Sequence, residues 1–427
     1  MRWCIVASAS VSMACGSQVG SRSSAANEDA GSAGAVDAPL GSDALDSSAQ
    51  APVPADGAAT NGDAASSSDT DASGDGGAAG TWVMGYYSGF GASYPVAEID
   101  WGGLTHLAVA FYLPDALGHI DESLSRGNTG PALAHSLVTA AHTAGKKIVA
   151  SLGGSNSQAA WQGSTSPANR ATFEANLKNL VQSYGFDGID LDWEPFAAGD
   201  QALLQALVLD LRSQLPGTLL TMPVGCENNN SPDDLSFFGT FAASVDRLNL
   251  MSYGLSGAWQ GWKSWHSSPL HWNGDPSTPI AIDSSVSDYL AAGVPAAKLG
   301  IGSGFFGECY TSPITAPDQA LGGATIASGD GTMSYANIMS DYYSASAYHW
   351  DTGAMVPYLS FPSARGSQGC TYVTYEDAQA IAAKGAYARA KGLGGVILWT
   401  INEGYVASAA AGQRSPLLDA MKTAFLR

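Results

Sequence analysis

A chain of 427 residues with 45% hydrophobic content can bury a large core, and its formal net charge of -20 argues against nucleic acid or anionic lipid as a partner. A neutral substrate fits that balance better. The apolar residues are unevenly spread: from Gly16 to Gly80 there is no Phe, Trp or Tyr, and Ala, Ser, Gly and Asp dominate. Such a segment cannot offset the entropy cost of ordering itself, so residues 16–80 are expected to form a disordered acidic linker.

Ahead of it, MRWCIVASASVSMAC has one early Arg2, a short apolar run and small residues before Cys15. Residues 1–15 therefore read as an export signal, too short to span a membrane. Two readings of Cys15 stay open: a lipidated new N-terminus that tethers the protein to a membrane, or an incidental cysteine in an ordinary cleaved signal. Either way the expected location is outside the cell or at a bacterial cell surface. Cys226, Cys309 and Cys370 remain, an odd count that suggests one pair and one buried thiol in an exported domain.

From Trp82 onward, β-prone runs at 81–87, 104–112, 146–154, 186–195, 218–225, 247–254, 298–307 and 394–401 alternate with helical patterns such as 131–145, 169–185, 200–217 and 376–392. Several of the runs are nearly continuously apolar, as parallel strands covered on both faces are, and Gly closely follows most of the helical patterns. Eight such alternations predict an α/β fold, a closed (β/α)8 TIM barrel over 81–427 in place of an open doubly wound sheet. The connection at about 308–375 is too long for a bare loop and reads as a small subdomain between the seventh and eighth strands. Cys309 and Cys370 flank it and are expected to form a disulfide.

The fourth run, FDGIDLDWEP, crowds Asp187, Asp190, Asp192 and Glu194 into an apolar strand. Alternation puts Asp190, Asp192 and Glu194 on one face and Ile189, Leu191 and Trp193 on the other. A metal site is one reading, but a calcium loop needs Gly at its sixth position and ligands folded around the ion. A structural polar network is a poor way to fill a barrel. Acid catalysis, in which one carboxylate raises and relays the proton of another, accounts for the pattern, and the C-terminal end of a barrel strand is where such groups work.

The spacing Asp-x-x-Asp-x-Asp-x-Glu from Asp187 to Glu194 resembles the signature of glycoside hydrolase family 18, the chitinases and their relatives. GYYSG at 85–89 resembles the family's first strand, and SLGG, with Ser151, Gly153 and Gly154, its third. Met251-Ser-Tyr253 resembles the sixth, and Trp399 the Trp closing the eighth. The long connection likewise resembles the family's α+β insertion. The resemblance implies that Glu194 is the general acid and that Asp192 orients a 2-acetamido group whose carbonyl oxygen is the nucleophile. It also implies that Asp190 and Asp187 share a proton with Asp192, with hydrogen bonds from Ser151 and Tyr86. Tyr253 would hold the acetamido oxygen over a floor made by Trp399, with Gly153, Gly154 and Met251 lining the sugar.

Of the aromatic series Trp259, Trp262, Trp265 and Trp272, each either stacks on sugar or covers the barrel edge; the setting of Trp259 resembles a substrate-contacting position. His266 and His271 read as loop residues. Two departures bear on substrate preference: Gly254 stands where the family commonly has Asp or Asn, and Pro195 where Tyr is frequent. The expected protein is a monomeric glycosidase without metal or cofactor that cleaves chitin or other N-acetylglucosamine oligosaccharides with retention. Its rivals are an endo-β-N-acetylglucosaminidase acting on N-glycans and a non-catalytic sugar-binding lectin.

Overall fold

The computed structural model describes residues 80–427 apart from 92, 227–233, 260, 276–279 and 329–330. The signal reading, Cys15 and the linker lie outside the described residues. Eight parallel strands close on themselves: β1 (Trp82–Ser88), β2 (His106–Pro114), β4 (Lys147–Gly154), β5 (Gly188–Trp193), β6 (Leu219–Val224), β7 (Arg247–Leu250), β8 (Leu299–Gly304) and β14 (Gly395–Trp399). β14 pairs with β8 and with β1, which completes the ring through β2. β3 (Ile120–Asp121) folds back antiparallel on β2. This is a (β/α)8 TIM barrel.

Helices α1 (Gly130–Thr143), α2 (Gln158–Ser164), α3 (Arg170–Tyr184), α4 (Gln201–Gln214), α5 (Ser236–Phe241) and α6 (Ile282–Ala291) follow the strands around the ring. The alternation along each strand decides what faces them. Val83 and Tyr87 of β1 and Ile189, Leu191 and Trp193 of β5 join the outer core against the helices. Trp82, Met84 and Tyr86 point inward. Asp190 and Asp192 share the parity of that inner set, so the acids face the lumen. The chain is led into β5 by Gly185, whose φ of 80° and N–H bond to the Val181 carbonyl end α3 in a left-handed turn.

Between β8 and β14 stands a five-stranded antiparallel sheet in the order β10 (Ile326–Ser328), β9 (Glu308–Thr311), β13 (Cys370–Thr374), β12 (Val356–Arg365), β11 (Tyr348–Asp351). It carries the short α7 (Tyr335–Asn337), and α8 (Ala378–Lys391) leads back to the barrel, which α9 (Pro416–Phe425) closes. The loop after β7 seats the insertion: His266, fully buried, lies between Asp351 Oδ2 at 2.9 Å and Tyr372 OH at 3.0 Å. Trp265 packs there with Ala354, Val356 and Ala380, which makes it a core residue with no face for sugar.

Cys309 on β9 and Cys370 on β13 are bonded across 61 residues of chain, with Cα atoms 5.3 Å apart. Closing a loop of that length restricts the unfolded chain by about 4 kcal/mol in the chain-entropy model. Replacing both cysteines by serine is therefore expected to lower unfolding stability by up to about 4 kcal/mol in denaturant titrations. An unchanged midpoint would show that the insertion does not depend on this link.

Candidate active site

Asp190 is fully buried, and its carboxylate is saturated by hydroxyls. Thr221 Oγ1 donates to Oδ1 at 2.5 Å, and Tyr86 OH and Ser151 Oγ each donate to Oδ2 at 2.8 Å. Burial pushes its pKa up and the three donors pull it down, with burial the larger effect. Asp192, one step nearer the mouth, is 3% exposed. Burial, then the charges of Glu194 and Asp190, and a carboxyl-carboxyl hydrogen bond with Glu194 hold its pKa well above the usual carboxylate range. A bond between two carboxyls requires a proton, so the pair Asp192–Glu194 holds one between them wherever that bond is made. Asp192 Oδ1 has no donor among the described residues. Tyr86 is held protonated by burial and by Asp190 and Asp192, which keeps it a donor.

The backbone under these acids is braced by the start of α2. Gln158 N–H donates to the Glu194 carbonyl at 3.0 Å, and Trp161 Nε1 donates to the Asp192 carbonyl at 3.2 Å. Trp161 also stacks on Trp193, with centroids 5.1 Å apart and planes 10° from parallel. Gly153, with φ at 98°, lets β4 approach this closely: a Cβ there would lie 2.2 Å from the Asp192 carbonyl oxygen.

Above the acids opens a cavity of about 420 Å³, whose lining includes Asp192, Glu194 and Gly153 together with Tyr86, Met251, Tyr253, Phe306 and Trp399. Phe111 stacks on Trp399 at 5.4 Å, and Phe90 on Phe111 at 6.2 Å, so an aromatic floor runs outward along Phe90. Flat rings together with carboxyl groups suit a sugar, which has apolar faces and a polar edge. A second cavity of about 580 Å³ adjoins the first, with Glu194, Pro223 and Met251 common to both, so the acid stands where two cavities meet.

Tyr86, Gly153, Asp192, Glu194, Met251, Tyr253 and Trp399 are thus brought together, with Asp190 directly beneath. Ser151 is fully buried behind Asp190 and touches that carboxylate, with no face on the cavity. Gly154 lies under the Phe111 ring, 2.6 Å from where its Cβ would be, and supports the floor. Asp187 must be corrected. It precedes β5, has the opposite parity to the lumen-facing acids, and sits where the strand enters the barrel. There it accepts from Lys147 Nζ at 2.8 Å and from the Ile148 N–H at 2.9 Å, with His142 Nε2 at 3.0 Å, and so takes no part in the proton sharing.

Trp259 is also displaced from its expected role. It is 44% exposed, folded over Gly257 and edge-on to Trp262 at 4.6 Å, and it does not line the cavity. Sequence reasoning missed Thr221, Phe111, Phe90 and Phe306. Thr221 had a signal, a lone hydroxyl in an apolar strand that falls level with Asp190. Phe90 and Phe306 sit outside the strands and Phe111 lies where the β2–β4 register shifts, so nothing in the pattern separates a floor from a core.

Residues 82–404 match the model of glycosyl hydrolases family 18. The chain belongs to this family. Chitinase A1 of Niallia circulans is 28% identical over 269 residues, which cover 55% of this chain and 37% of that protein. This chain therefore spans well under half of that relative's length. A chitinase-like effector of Moniliophthora perniciosa is 25% identical over 407 residues, 80% of this chain and 86% of that one. The fold of a Group IV chitinase of Ostrinia furnacalis superposes with a TM-score of 0.67 at 22% identity, over 81% of this chain and 100% of that one.

The correction to Asp187 can be tested without turnover. Burial pushes its carboxyl up, but Lys147, the Ile148 N–H and His142 together hold it below the usual carboxylate range. A depressed folded pKa contributes stability above the unfolded value and loses it as pH falls through the folded one. Asp187→Asn should therefore unfold at lower urea than wild type at about pH 7, and the gap should close by about pH 2. A gap that persists in acid would contradict the ion-pair role.

Proposed function

We propose that this protein is a retaining glycosidase of the chitinase type, which uses the substrate's own acetamido group as nucleophile. One observation carries the reading. Both carboxyl side chains that line the main cavity, Asp192 and Glu194, come from the same strand face and share a proton, and the described residues around them are aromatic or neutral. A retaining enzyme with its own nucleophile needs a second carboxylate across the sugar, about 5 to 5.5 Å from the acid. Apart from Asp192 and Glu194, the cavity is lined by residues without a carboxylate, Tyr253, Met251 and Trp399 among them. An acetamido carbonyl oxygen on C2 of the substrate can fill that place.

The steps follow from the groups present. Glu194 gives its proton to the glycosidic oxygen as that oxygen leaves C1, and the acetamido carbonyl oxygen attacks C1 to form a cyclic cation. The acetamido N–H meets the open Asp192 Oδ1, and Asp192, by yielding its shared proton towards Glu194, becomes the anion that stabilises this cation. Water activated by Glu194 then opens the ring with net retention. Asp190, held by three hydroxyls, keeps Asp192 protonated until that moment. The intact acid pair favours catalysis over simple sugar binding. We place the enzyme outside the cell, as its N-terminal segment suggests.

Chitotetraose, cellotetraose and a high-mannose glycopeptide, each incubated with the protein, should separate the substrate classes by product mass. Chitotetraose should be cleaved and cellotetraose, which lacks the acetamido group, should not; cleavage of the glycopeptide alone would transfer the same chemistry to N-glycans. Glu194→Gln should lower kcat by about a thousandfold while leaving chitotetraose affinity largely intact. Comparable hydrolysis of the two tetramers would refute the nucleophile assigned here.

A further inference from the structure

Glu308 is the first residue of β9, at the root of the insertion, and has no role in the chemistry above. It is 2% exposed, and its carboxyl is bonded by Ser256 Oγ and by the hydroxyl of Ser267. Both partners belong to the loop that follows Tyr253. Ser267 Oγ in turn accepts the Gly254 N–H at 3.2 Å, and the Ser267 carbonyl accepts the Leu255 N–H at 2.9 Å. The peptide immediately after Tyr253 is therefore tied through Ser267 to Glu308. Gly254 turns the chain here with φ at 65°, a backbone conformation that favours glycine. Two residues before this strand, Phe306 packs edge-on against Tyr253 at 6.0 Å and lines the cavity.

We propose that Glu308 is a positioning residue for the reaction: through Ser256 and Ser267 its carboxyl fixes the segment that holds Tyr253 against the sugar. The inference rests on the functional reading above. The ionised carboxyl is the form that these two donors hold most tightly. Burial pushes the pKa up to about 7, against the pull of the two serine hydroxyls. The titratable groups that feel its charge are the phenols of Tyr310 on its own strand and Tyr372 on β13, behind which stand His266 and Asp351. The buried pair Lys384–Glu376 reaches the neighbouring Ser268, and the cation bonds there. Ionisation of Glu308 near pH 7 thus strengthens the two serine hydrogen bonds beneath the Tyr253 loop and tightens the tie.

The test is the pH profile of chitotetraose hydrolysis by the full chain and by Glu308→Gln, an isostere that cannot ionise. The ratio of kcat/KM, variant over wild type, should fall by about tenfold between about pH 6 and about pH 8, as wild type gains the carboxylate that the two serines hold. A ratio constant within about twofold over that range overturns the proposal, because a merely structural residue changes both ends alike. Should Glu308→Gln fail to fold, Ser256→Ala and Tyr253→Phe serve, singly and together. If the carboxyl acts through Tyr253, the double variant loses little more than the worse single one; additive losses overturn the proposal. Wild type that turns over chitotetraose with parallel profiles defeats this inference alone, whereas wild type with no turnover defeats the functional reading and this inference with it.

Discussion

The site depends on the cost of burying carboxyl groups side by side. Asp190 and Asp192 are closed off from water on the inner face of one strand, with Glu194 at its end. Full ionisation of all three would set like charges together in a medium that screens them poorly. The structure relieves the cost in two ways. Asp190 is surrounded by three hydroxyl donors from three different strands, β1, β4 and β6. Asp192 has none of these and instead shares a proton with Glu194. Two chemically identical side chains two residues apart are thereby given different tasks, one as a fixed polar anchor and the other as a proton holder.

The barrel makes that difference possible. A closed parallel ring brings Tyr86, Ser151 and Thr221, distant in sequence, to the level of Asp190, and the strand register sets Ser151 and Thr221 directly beside it. The C-terminal mouth then exposes only what lies above that layer. The insertion adds a wall through Phe306 and is seated by buried polar contacts at His266, Ser267 and Glu308. Because those contacts fall in the loop that begins at Tyr253, the second sheet and the cleft form one mechanical unit.

Much of this could be read from the sequence because strand alternation is local. Eight β-prone runs, the acids of the fourth and their shared face follow from neighbours in the chain, whereas the ends of the runs do not: most overrun the paired strand, while β1 continues past its run to Ser88 and β2 to Pro114. The run at 247–254 stops pairing at Leu250, since the chain must leave the ladder to present Tyr253, and Gly254 then turns with φ at 65°. Asp187 was misjudged because motif spacing carries no depth: its carboxyl is at the opposite end of the strand from Glu194. Trp259 was misjudged because an aromatic ring in a loop has no periodicity to say which way it turns. Glu308 was invisible for a further reason, that its partners lie some 40 to 50 residues away in the chain, on the other side of a strand and a helix.

The shared proton is the claim on which the rest turns, and infrared difference spectroscopy reads it directly. With carboxyl-labelled aspartate, the wild-type protein at neutral pH should show the stretch of a protonated aspartic acid, and Asp192→Asn should lack it. A wild-type spectrum at neutral pH with every aspartate ionised would contradict the account, since Asp192 would then hold no proton in reserve for the leaving group.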